Sequence, residues 1–401
     1  MTSDQRVGDQ GAKDPDEAAR PRASPHGRRF EHLDMIRGLA ALLVLVGHVR
    51  GFVFIDYSDL SGAKLAAAPL YVVGGLGHQA VILFFALSGF LVGGRAMREI
   101  RQGRWNLPDY AVHRFARLWT ALIPALIATA LLDWIGRDLL RLNGYGAEYW
   151  DILSSGPYPG SDPTPTFTSF LGNIVFLQTI AVPVFGTNGP LWSLANEFWY
   201  YFLVPFAWMA LAGRHVSVAA RVFSALFAIV ALILLPFPII ALGSIWVMGA
   251  IAWSLGDAVR ALSPGCFHLL VAAIALAIAV GGVASLARPN LPTDILLGLA
   301  CATALPCLAR LSNPGGFYGR LSFWLSEISF TLYVVHFPLI ALLWFALLAP
   351  VQFGIVPLAF AAAAGLIVAA IGFATAMWWL FERNTGRIRA LFLQVLPITK
   401  R

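Results

Sequence analysis

The sequence predicts an all-α fold, a polytopic membrane helical bundle of about ten transmembrane helices. Of its 401 residues, 58% are hydrophobic and only 12% are charged, and the mean hydropathy is +0.73. The apolar residues form runs of about 20, the length that crosses roughly 30 Å of hydrocarbon as a helix. Soluble globular chains lack both properties. One helical bundle can therefore account for nearly the whole chain.

Ten apolar segments are predicted to be the transmembrane helices. They lie at about 33–54, 76–95, 114–133, 194–213, 218–235, 240–255, 267–285, 294–311, 325–349 and 356–381. The fifth and sixth are separated only by a short break at Pro236 and Pro238, because proline cannot continue a helix. A further apolar stretch, 167–185, contains Asn173 and Gln178. It is expected to form a re-entrant or interfacial helix rather than an eleventh span.

The basic residues indicate how this bundle is oriented. With ten spans and a cytoplasmic N-terminus, most of the 28 Lys and Arg residues fall on cytoplasmic segments, as the positive-inside tendency expects. The sequence therefore predicts a multi-pass protein of the cell inner (plasma) membrane with both termini cytoplasmic. Residues 1–32 are predicted to be a disordered tail, 33–382 the membrane domain and 383–401 a C-terminal tail.

Composition also limits the partners and cofactors. The net charge of +7 needs no nucleic-acid partner, because cytoplasmic loops of membrane proteins accumulate Lys and Arg. The three cysteines have neither the spacing of metal ligands nor the even number of a disulfide framework. No metal is therefore expected. Membrane lipids are the expected surroundings, and the oligomeric state stays open.

The first span contains two ionisable residues, Arg37 and His48, that an apolar helix would normally exclude. They are eleven residues apart, about three helical turns, so both side chains are expected on one face, roughly 16 Å apart. Ionisable groups within a span usually face the bundle interior or a wet cavity. Taken singly, Arg37 could extend to the headgroups and His48 could be a helix–helix hydrogen bond. Their shared face favours a functional role.

Arg114 and Arg117 begin the third span, after the most basic loop of the bundle. Because they are three residues apart at a helix start, their side chains can converge on a polyanion. Guanidinium groups also match the geometry of phosphate oxygens. Ordinary cytoplasmic positive charge is the simpler explanation of the pair.

Polar candidates also occur in three other spans. Glu197 begins the fourth span, where a helix dipole would stabilise it, although a carboxylate there could instead orient an imidazole or polarise a hydroxyl. His336 precedes Pro338 in the ninth span. It is interpreted as a structural hydrogen-bonding group beside a proline kink rather than as a second base. Glu382, at the end of the last span, is interpreted as part of a helix-end charge cluster.

Together these motifs resemble the acyltransferase-3 family, membrane-bound O-acyltransferases of the bacterial O-antigen and exopolysaccharide acetylase type. The first motif is Asp34-x-x-Arg37, followed by ten residues and His48. The later ones, in order, are FFALSGF at 84–90, HRFAR at 113–117, WSLANE at 192–197 and SFTLYVVHFP at 329–338. His113 stands where the family has arginine, and Phe198 stands where a second acid is common. The resemblance covers roughly residues 33–382.

The resemblance implies transfer of an acyl group, usually acetyl, from coenzyme A to a hydroxyl of a cell-surface or exported carbohydrate or glycolipid. The catalytic candidates are then His48, Arg37 and Glu197. The groups that would bind the donor, acetyl-CoA or another acyl-CoA, are Arg114, Arg117 and Arg37. His48 could remove the proton of the acceptor hydroxyl, because imidazole titrates near neutral pH. Direct attack on the thioester and a transient acyl-histidine are both open.

Two alternative functions fit the same residues. Relatives in the family also acylate small-molecule secondary metabolites such as macrolides, so the acceptor need not be a carbohydrate. A transporter or flippase is a different class, in which Arg37, His48 and Glu197 would form a substrate or proton path. The two halves of the chain do not repeat a pair of Gly/Pro-interrupted spans, which argues against the common inverted-repeat carriers.

Overall fold

A computed structural model of the protein describes residues 29–62, 64–145 and 165–395, so the predicted N-terminal tail lies almost wholly outside the described residues. The chain divides into Met1–Phe30 and Glu31–Arg401, and everything below concerns the second unit. The described part of the chain contains fifteen α-helices and no β-strand, which confirms the all-α class. The helices are α1 Glu31–Val53, α2 Lys64–Gly75, α3 Gly77–Ser88, α4 Gly94–Arg101, α5 Leu107–Trp134, α6 Phe167–Ile174, α7 Trp192–Ala212, α8 Val218–Leu234, α9 Phe237–Ser254, α10 Gly256–Ala261, α11 Pro264–Ala287, α12 Leu291–Arg310, α13 Gly316–Leu347, α14 Pro357–Leu380 and α15 Thr385–Val395.

Eight helical segments within the described ranges are long and apolar enough to cross a membrane. They are Glu31–Val53, Lys64–Arg101, Leu107–Leu139, Phe237–Ser254, Pro264–Ala287, Leu291–Arg310, Gly316–Leu347 and Pro357–Gln394. The polytopic helical bundle is thereby confirmed. The other two predicted spans are also helices: α8 has 17 residues, and α7 has 21 but includes Asn196 and Glu197 near its start. The break predicted at the two prolines is the junction of α8 and α9.

The second span is longer than predicted, because a π-helical turn at Gly89–Gly93 joins α3 to α4. This turn packs against α9 at very close range. A Cβ atom added to Gly89 would lie 1.9 Å from the carbonyl oxygen of Trp246, and one added to Gly249 would lie 2.0 Å from that of Ala86. Small residues that let two backbones meet are typical of helix contacts in membranes. The glycine of the SGF motif therefore has a packing role.

Helices α1 and α13 lie side by side and run in the same direction. Later residues of α1 contact later residues of α13, from Arg37 with Ser326 to Phe52 with Trp344, whose ring centroids are 5.6 Å apart. Gly38 permits the approach, since a Cβ atom there would lie 2.4 Å from the Cβ of Leu325. One face of α1 is thus fixed against α13 along its whole length.

The segment predicted as one helix over 167–185 is helical only in α6, so its predicted extent is wrong. Phe176 and Thr179 have φ angles of 59° and 65°, a left-handed conformation that ends a helix. The following loop folds back into the bundle. Asn188 Nδ2 donates to the carbonyl oxygen of Val334, halfway along α13, at 2.8 Å. Thr187 donates from its N–H and its hydroxyl to the buried carboxylate of Asp133.

Because this loop ends beside the middle of α13, α7 also begins inside the bundle. A short 3₁₀ turn at Gly189–Leu191 leads directly into Trp192. Gln178 Nε2 donates to the carbonyl oxygen of Leu191 at 3.0 Å and fixes this entry point. The first turns of α7 therefore pack against α3, α5 and α13. They also pack against the preceding loop, in which the Phe176 ring stacks on that of Phe198 with centroids 4.1 Å apart.

Candidate active site in the helical bundle

A cavity of about 190 Å³ lies between α1, α3, α5, α7 and α13. Its charged lining residues are Arg37, Arg114, Arg117 and Glu197. The cavity therefore brings together four of the five predicted site residues, which come from three separate sequence motifs. The rest of the wall is mainly apolar, with the hydroxyl groups of Ser88, Ser193, Tyr201, Ser329 and Tyr333 among it. Apolar walls with a few convergent polar groups are typical of small-molecule sites.

Arg37 is held at one wall of the cavity by α13 and by its own helix. Its Nη1 atom donates to Ser326 Oγ at 3.1 Å and lies 3.8 Å from the Asp34 carboxylate. Ser326 Oγ in turn donates to Asp34 Oδ1 at 3.2 Å. The Asp-x-x-Arg spacing thus builds a closed triangle with Ser326, which fixes where the guanidinium group points.

Arg117 is ion-paired with Glu382, which is only 3% exposed. The same carboxylate accepts hydrogen bonds from the backbone N–H of Thr331 at 3.2 Å and from the Thr331 hydroxyl. Glu382 therefore joins the end of α14 to α13 and α5 at the cavity. Its interpretation as a helix-end charge cluster was wrong, because α14 ends against the bundle rather than at its edge.

Arg114 has a different environment from Arg117, one turn away on α5. Its guanidinium carbon lies 5.7 Å from the ring centroid of Tyr110 and 5.6 Å from that of Tyr201. It has no ion pair within the described ranges, and its Nε atom is buried there without a hydrogen-bond partner. An Asn106 cap that accepts from the Asp109 N–H, with proline in the first turn, starts α5 and so sets this register. Arg114 is the cation of the cavity best placed to receive an anion.

Glu197 ends a short hydrogen-bonded chain along the cavity wall. Tyr201 Oη donates to Glu197 Oε1 at 2.5 Å. Ser88 Oγ is 3.5 Å from the Tyr201 hydroxyl, and Trp246 Nε1 donates to Ser88 Oγ at 3.2 Å. Hydrogen bonds to an ionised carboxylate are among the stronger ones in proteins. The acid that the sequence singled out is thus oriented by a tyrosine one turn further along α7, not by a second carboxylate.

His48 lies on the same side of α1 as Arg37, as predicted, but it does not line the cavity. Its ring centroid is 5.2 Å from that of His336 and 5.0 Å from that of Phe337, both on α13. Tyr333, which does line the cavity, has its ring 6.2 Å from that of His336. The Tyr333 hydroxyl is 2.6 Å from Ser193 Oγ. Tyr333 therefore stands between the cavity and the two imidazoles.

Sequence reasoning missed two acids of this site. Glu382 is one, and Glu327 on α13 is the other, since it lies within electrostatic reach of Arg117 and Arg37. With Asp34 and Glu197, these two acids make four carboxyl groups near the three arginines, so the site is charge-rich rather than simply basic. No motif in the sequence marked Glu327, because only the structure shows that the preceding residue, Ser326, faces Arg37. No group of three or more His, Cys, Asp or Glu residues suited to a metal ion occurs in the part of the chain that the structure describes.

The fold and this cavity define the class of the protein. It is a polytopic membrane protein with a small cavity, lined by charged side chains, between its helices. The family comparison is specific. The chain belongs to the acyltransferase-3 family, whose model, described as an acyltransferase domain, matches residues 30–379. It is also similar to a protein named O-acetyl transferase from Shigella phage Sf6, with 31% identity over 176 residues.

That second match covers 42% of this chain and 43% of the phage protein, so it spans less than half the length of the relative. No solved structure matches the chain significantly. The acyltransferase assignment therefore rests on the family match across nearly the whole bundle. The expected resemblance from the sequence motifs is confirmed.

Proposed function

We propose that the protein is a membrane-bound O-acetyltransferase that moves an acetyl group from acetyl-CoA to a hydroxyl of a cell-surface or exported carbohydrate or glycolipid. The observation that supports this most directly is the meeting of Arg37, Arg114, Arg117 and Glu197 in one cavity. The phage relative's name, O-acetyl transferase, agrees with an acetyl group and an oxygen acceptor.

The cavity fits the reactive end of the donor rather than the whole of it. Pockets for complete drug-sized ligands are about 300 to 1,000 Å³, and this one is about 190 Å³. The thioester and the adjoining apolar chain would occupy it against Phe84, Phe85 and Leu91, with the nucleotide outside. Arg114, which has no ion pair among the described residues, would bind an anionic or carbonyl oxygen of the donor.

His48 would act as the base of the reaction. The imidazole removes the proton of the acceptor hydroxyl while that oxygen attacks the thioester carbonyl carbon. The bond from this carbon to sulfur then breaks, and the thiolate takes the proton from the imidazolium, which gives an ester and free coenzyme A thiol. Arg37, fixed by Ser326, would bind an anionic oxygen of the donor, because it lies about three helical turns from His48 and cannot reach the carbonyl group at which His48 acts.

In this proposal the two substrates approach from two ends of the molecule. The donor would enter from the end where α1 begins, which the positive-inside tendency places in the cytoplasm. The acceptor would approach from the other end, since His48 lies eleven residues further along α1 than Arg37. The two meet where Tyr333 separates the cavity from His48. Transfer across this point would acetylate an exported acceptor without translocating the donor.

The direct test uses purified protein reconstituted in lipid vesicles with radiolabelled acetyl-CoA. Wild-type protein should release coenzyme A thiol and move the label into a cell-envelope glycan or glycolipid fraction. A transporter would carry label across the membrane without releasing thiol, and that result would contradict the proposal. The His48→Ala variant is the matched blank, because it should insert normally and leave the label on coenzyme A.

A further inference from the structure

His336 has one ring nitrogen with a clear role and one without. It lies in the middle of α13 and is 0% exposed. Its Nδ1 atom is 2.8 Å from the carbonyl oxygen of Leu332. A carbonyl oxygen only accepts hydrogen bonds, so Nδ1 is the nitrogen that bears the proton. In the neutral ring Nε2 then has a lone pair, and it is buried with no partner in the described ranges.

The neighbouring imidazole is that of His48 on α1. His48 Nδ1 is also buried without a hydrogen-bond partner in the described part of the chain. The two ring centroids are 5.2 Å apart, with 33° between the ring planes. Buried polar side-chain atoms are nearly always satisfied in native proteins. His48 Nδ1 and His336 Nε2, two buried nitrogens on adjacent rings without a hydrogen-bond partner in the described ranges, therefore require a common explanation.

The proline kink of α13 does not supply that explanation. Pro338 has no N–H, so the carbonyl oxygen four residues earlier, on Val334, loses its helical partner. Asn188 Nδ2 donates to this oxygen at 2.8 Å and replaces the missing bond. His336 is bonded to a different carbonyl, that of Leu332. His336 thus makes a structural hydrogen bond as predicted, through Nδ1, but it does not satisfy the carbonyl oxygen that the proline leaves free.

We propose that His336 is a positioning residue for His48, accepting a hydrogen bond at its Nε2 atom from His48 Nδ1–H. The contact forms through a bridging water or a small shift of the His48 ring, since hydrogen bonds of a resting active site often tighten only with substrate bound. It fixes the His48 tautomer, so that Nε2 of His48 holds the lone pair that takes the acceptor's proton. This inference rests on the proposed function, in which His48 is the base.

The rings around the pair support such a role. Phe337 meets the His48 ring edge-on at 89° and is itself fully buried. The acidic groups of the cavity lie on the far side of Tyr333, so no carboxylate among the described residues is bonded to His48. In this proposal the third group that orients the base is an imidazole with a fixed acceptor nitrogen rather than a carboxylate.

Two amide substitutions separate positioning from packing. In His336→Asn the side-chain N–H can still reach Leu332, but no acceptor remains at the Nε2 position. In His336→Gln the amide oxygen can occupy that position. We expect His336→Asn to lower kcat by roughly 10- to 100-fold, the loss typical when the group that orients a metal-bound histidine is removed, with the KM for acetyl-CoA unchanged. His336→Gln should retain a clearly larger kcat than His336→Asn.

The matched control is His78→Asn, which removes a histidine bonded to Asp294 on α12, away from the cavity. Its kcat should stay close to that of wild type. If His336→Asn keeps the wild-type kcat, or if both His336 variants lose only folded yield while kcat is unchanged, the proposal is wrong. Equal loss of kcat in the Asn and Gln variants also contradicts it, because the position of the acceptor would then not matter.

A spectroscopic readout tests the inference without any turnover. The protein has eight histidines, and nitrogen NMR of ring-labelled protein reports their tautomers, with His48 assigned from the His48→Asn variant. Wild type should show His48 protonated at Nδ1, and His336→Asn should lose this preference. An unchanged His48 tautomer in His336→Asn would overturn the proposal. If wild type shows the preference but does not use acetyl-CoA, the proposed function fails while the positioning of His48 by His336 stands.

Discussion

Arg117 is ion-paired with Glu382, which lies 265 residues further along the chain. Arg114, on the same helix and lining the same cavity, has no ion pair within the described ranges. The sequence motif presents these two arginines as equivalent phosphate ligands. Their surroundings make them different, since one positive charge is already balanced by a buried carboxylate and the other is not.

We therefore expect Arg114→Gln to weaken donor binding more than Arg117→Gln does. A hydrogen bond to a charged group contributes about 1.5–3 kcal/mol, so the KM for acetyl-CoA should rise about tenfold or more in Arg114→Gln. The measurement is steady-state kinetics with acetyl-CoA varied. Arg260→Gln is the control, because Arg260 is an exposed partner of Asp257 away from the cavity. Equal KM values for Arg114→Gln and wild type would contradict the prediction.

Glu382→Gln should destabilise the bundle, because it leaves the Arg117 guanidinium without its carboxylate. Breaking a fully buried ion pair costs about 3–5 kcal/mol. Arg117 faces the cavity with 40% of its side chain accessible, so a smaller cost, on the order of 2 kcal/mol, is expected. Thermal unfolding in detergent measures this as a lower midpoint. The double variant Arg117→Gln/Glu382→Gln should be more stable than Glu382→Gln alone, and a strictly additive loss would show that the pair does not couple.

His48→Ala should abolish acetyl transfer while the affinity for acetyl-CoA stays near that of wild type. The reason is position, since His48 lies beyond Tyr333 and does not line the cavity that would hold the donor. Transfer is measured with labelled acetyl-CoA, and donor affinity by equilibrium binding to the purified variant. His215→Ala, which removes a histidine outside the cavity lining, is the control. Retention of full transfer by purified His48→Ala would exclude this residue as the base.

Most of the fold could be predicted from the sequence because hydrophobic length and periodicity are local properties. Each of the ten predicted spans is occupied by a helix, and the junction of α8 and α9 falls at the predicted prolines. The prediction of one helix over 167–185 was wrong because Phe176 and Thr179 adopt positive φ angles. Nothing in those residue types favours that conformation, and it is imposed by the contacts of the loop within the bundle.

The candidate site was predictable in part for the same reason. Arg37 and His48 share a face of α1 because helical periodicity alone places them there. Glu382 and His336 were interpreted as structural because their partners, Arg117 and His48, lie far away in sequence. A charge at a helix end and a histidine near a proline each have an ordinary local explanation. Only the packing of α13 and α14 against α5 and α1 reveals that Glu382 contacts Arg117 and that His336 contacts His48.

The contact between Gly89 and Trp246 gives a prediction about how the cavity wall is built. An alanine Cβ at Gly89 would lie 1.9 Å from the Trp246 carbonyl oxygen, which is backbone and cannot move aside as a side chain would. Gly89→Ala should therefore push α9 from α3, break the Trp246 bond to Ser88 and lower both the unfolding midpoint and transfer. Gly372→Ala is the matched control, because a Cβ there meets nothing within 4 Å and alanine favours a helix over glycine by about 1 kcal/mol. Its midpoint should be equal to or above that of wild type, and a Gly89→Ala midpoint as high as this control would show that α3 and α9 do not depend on the close approach.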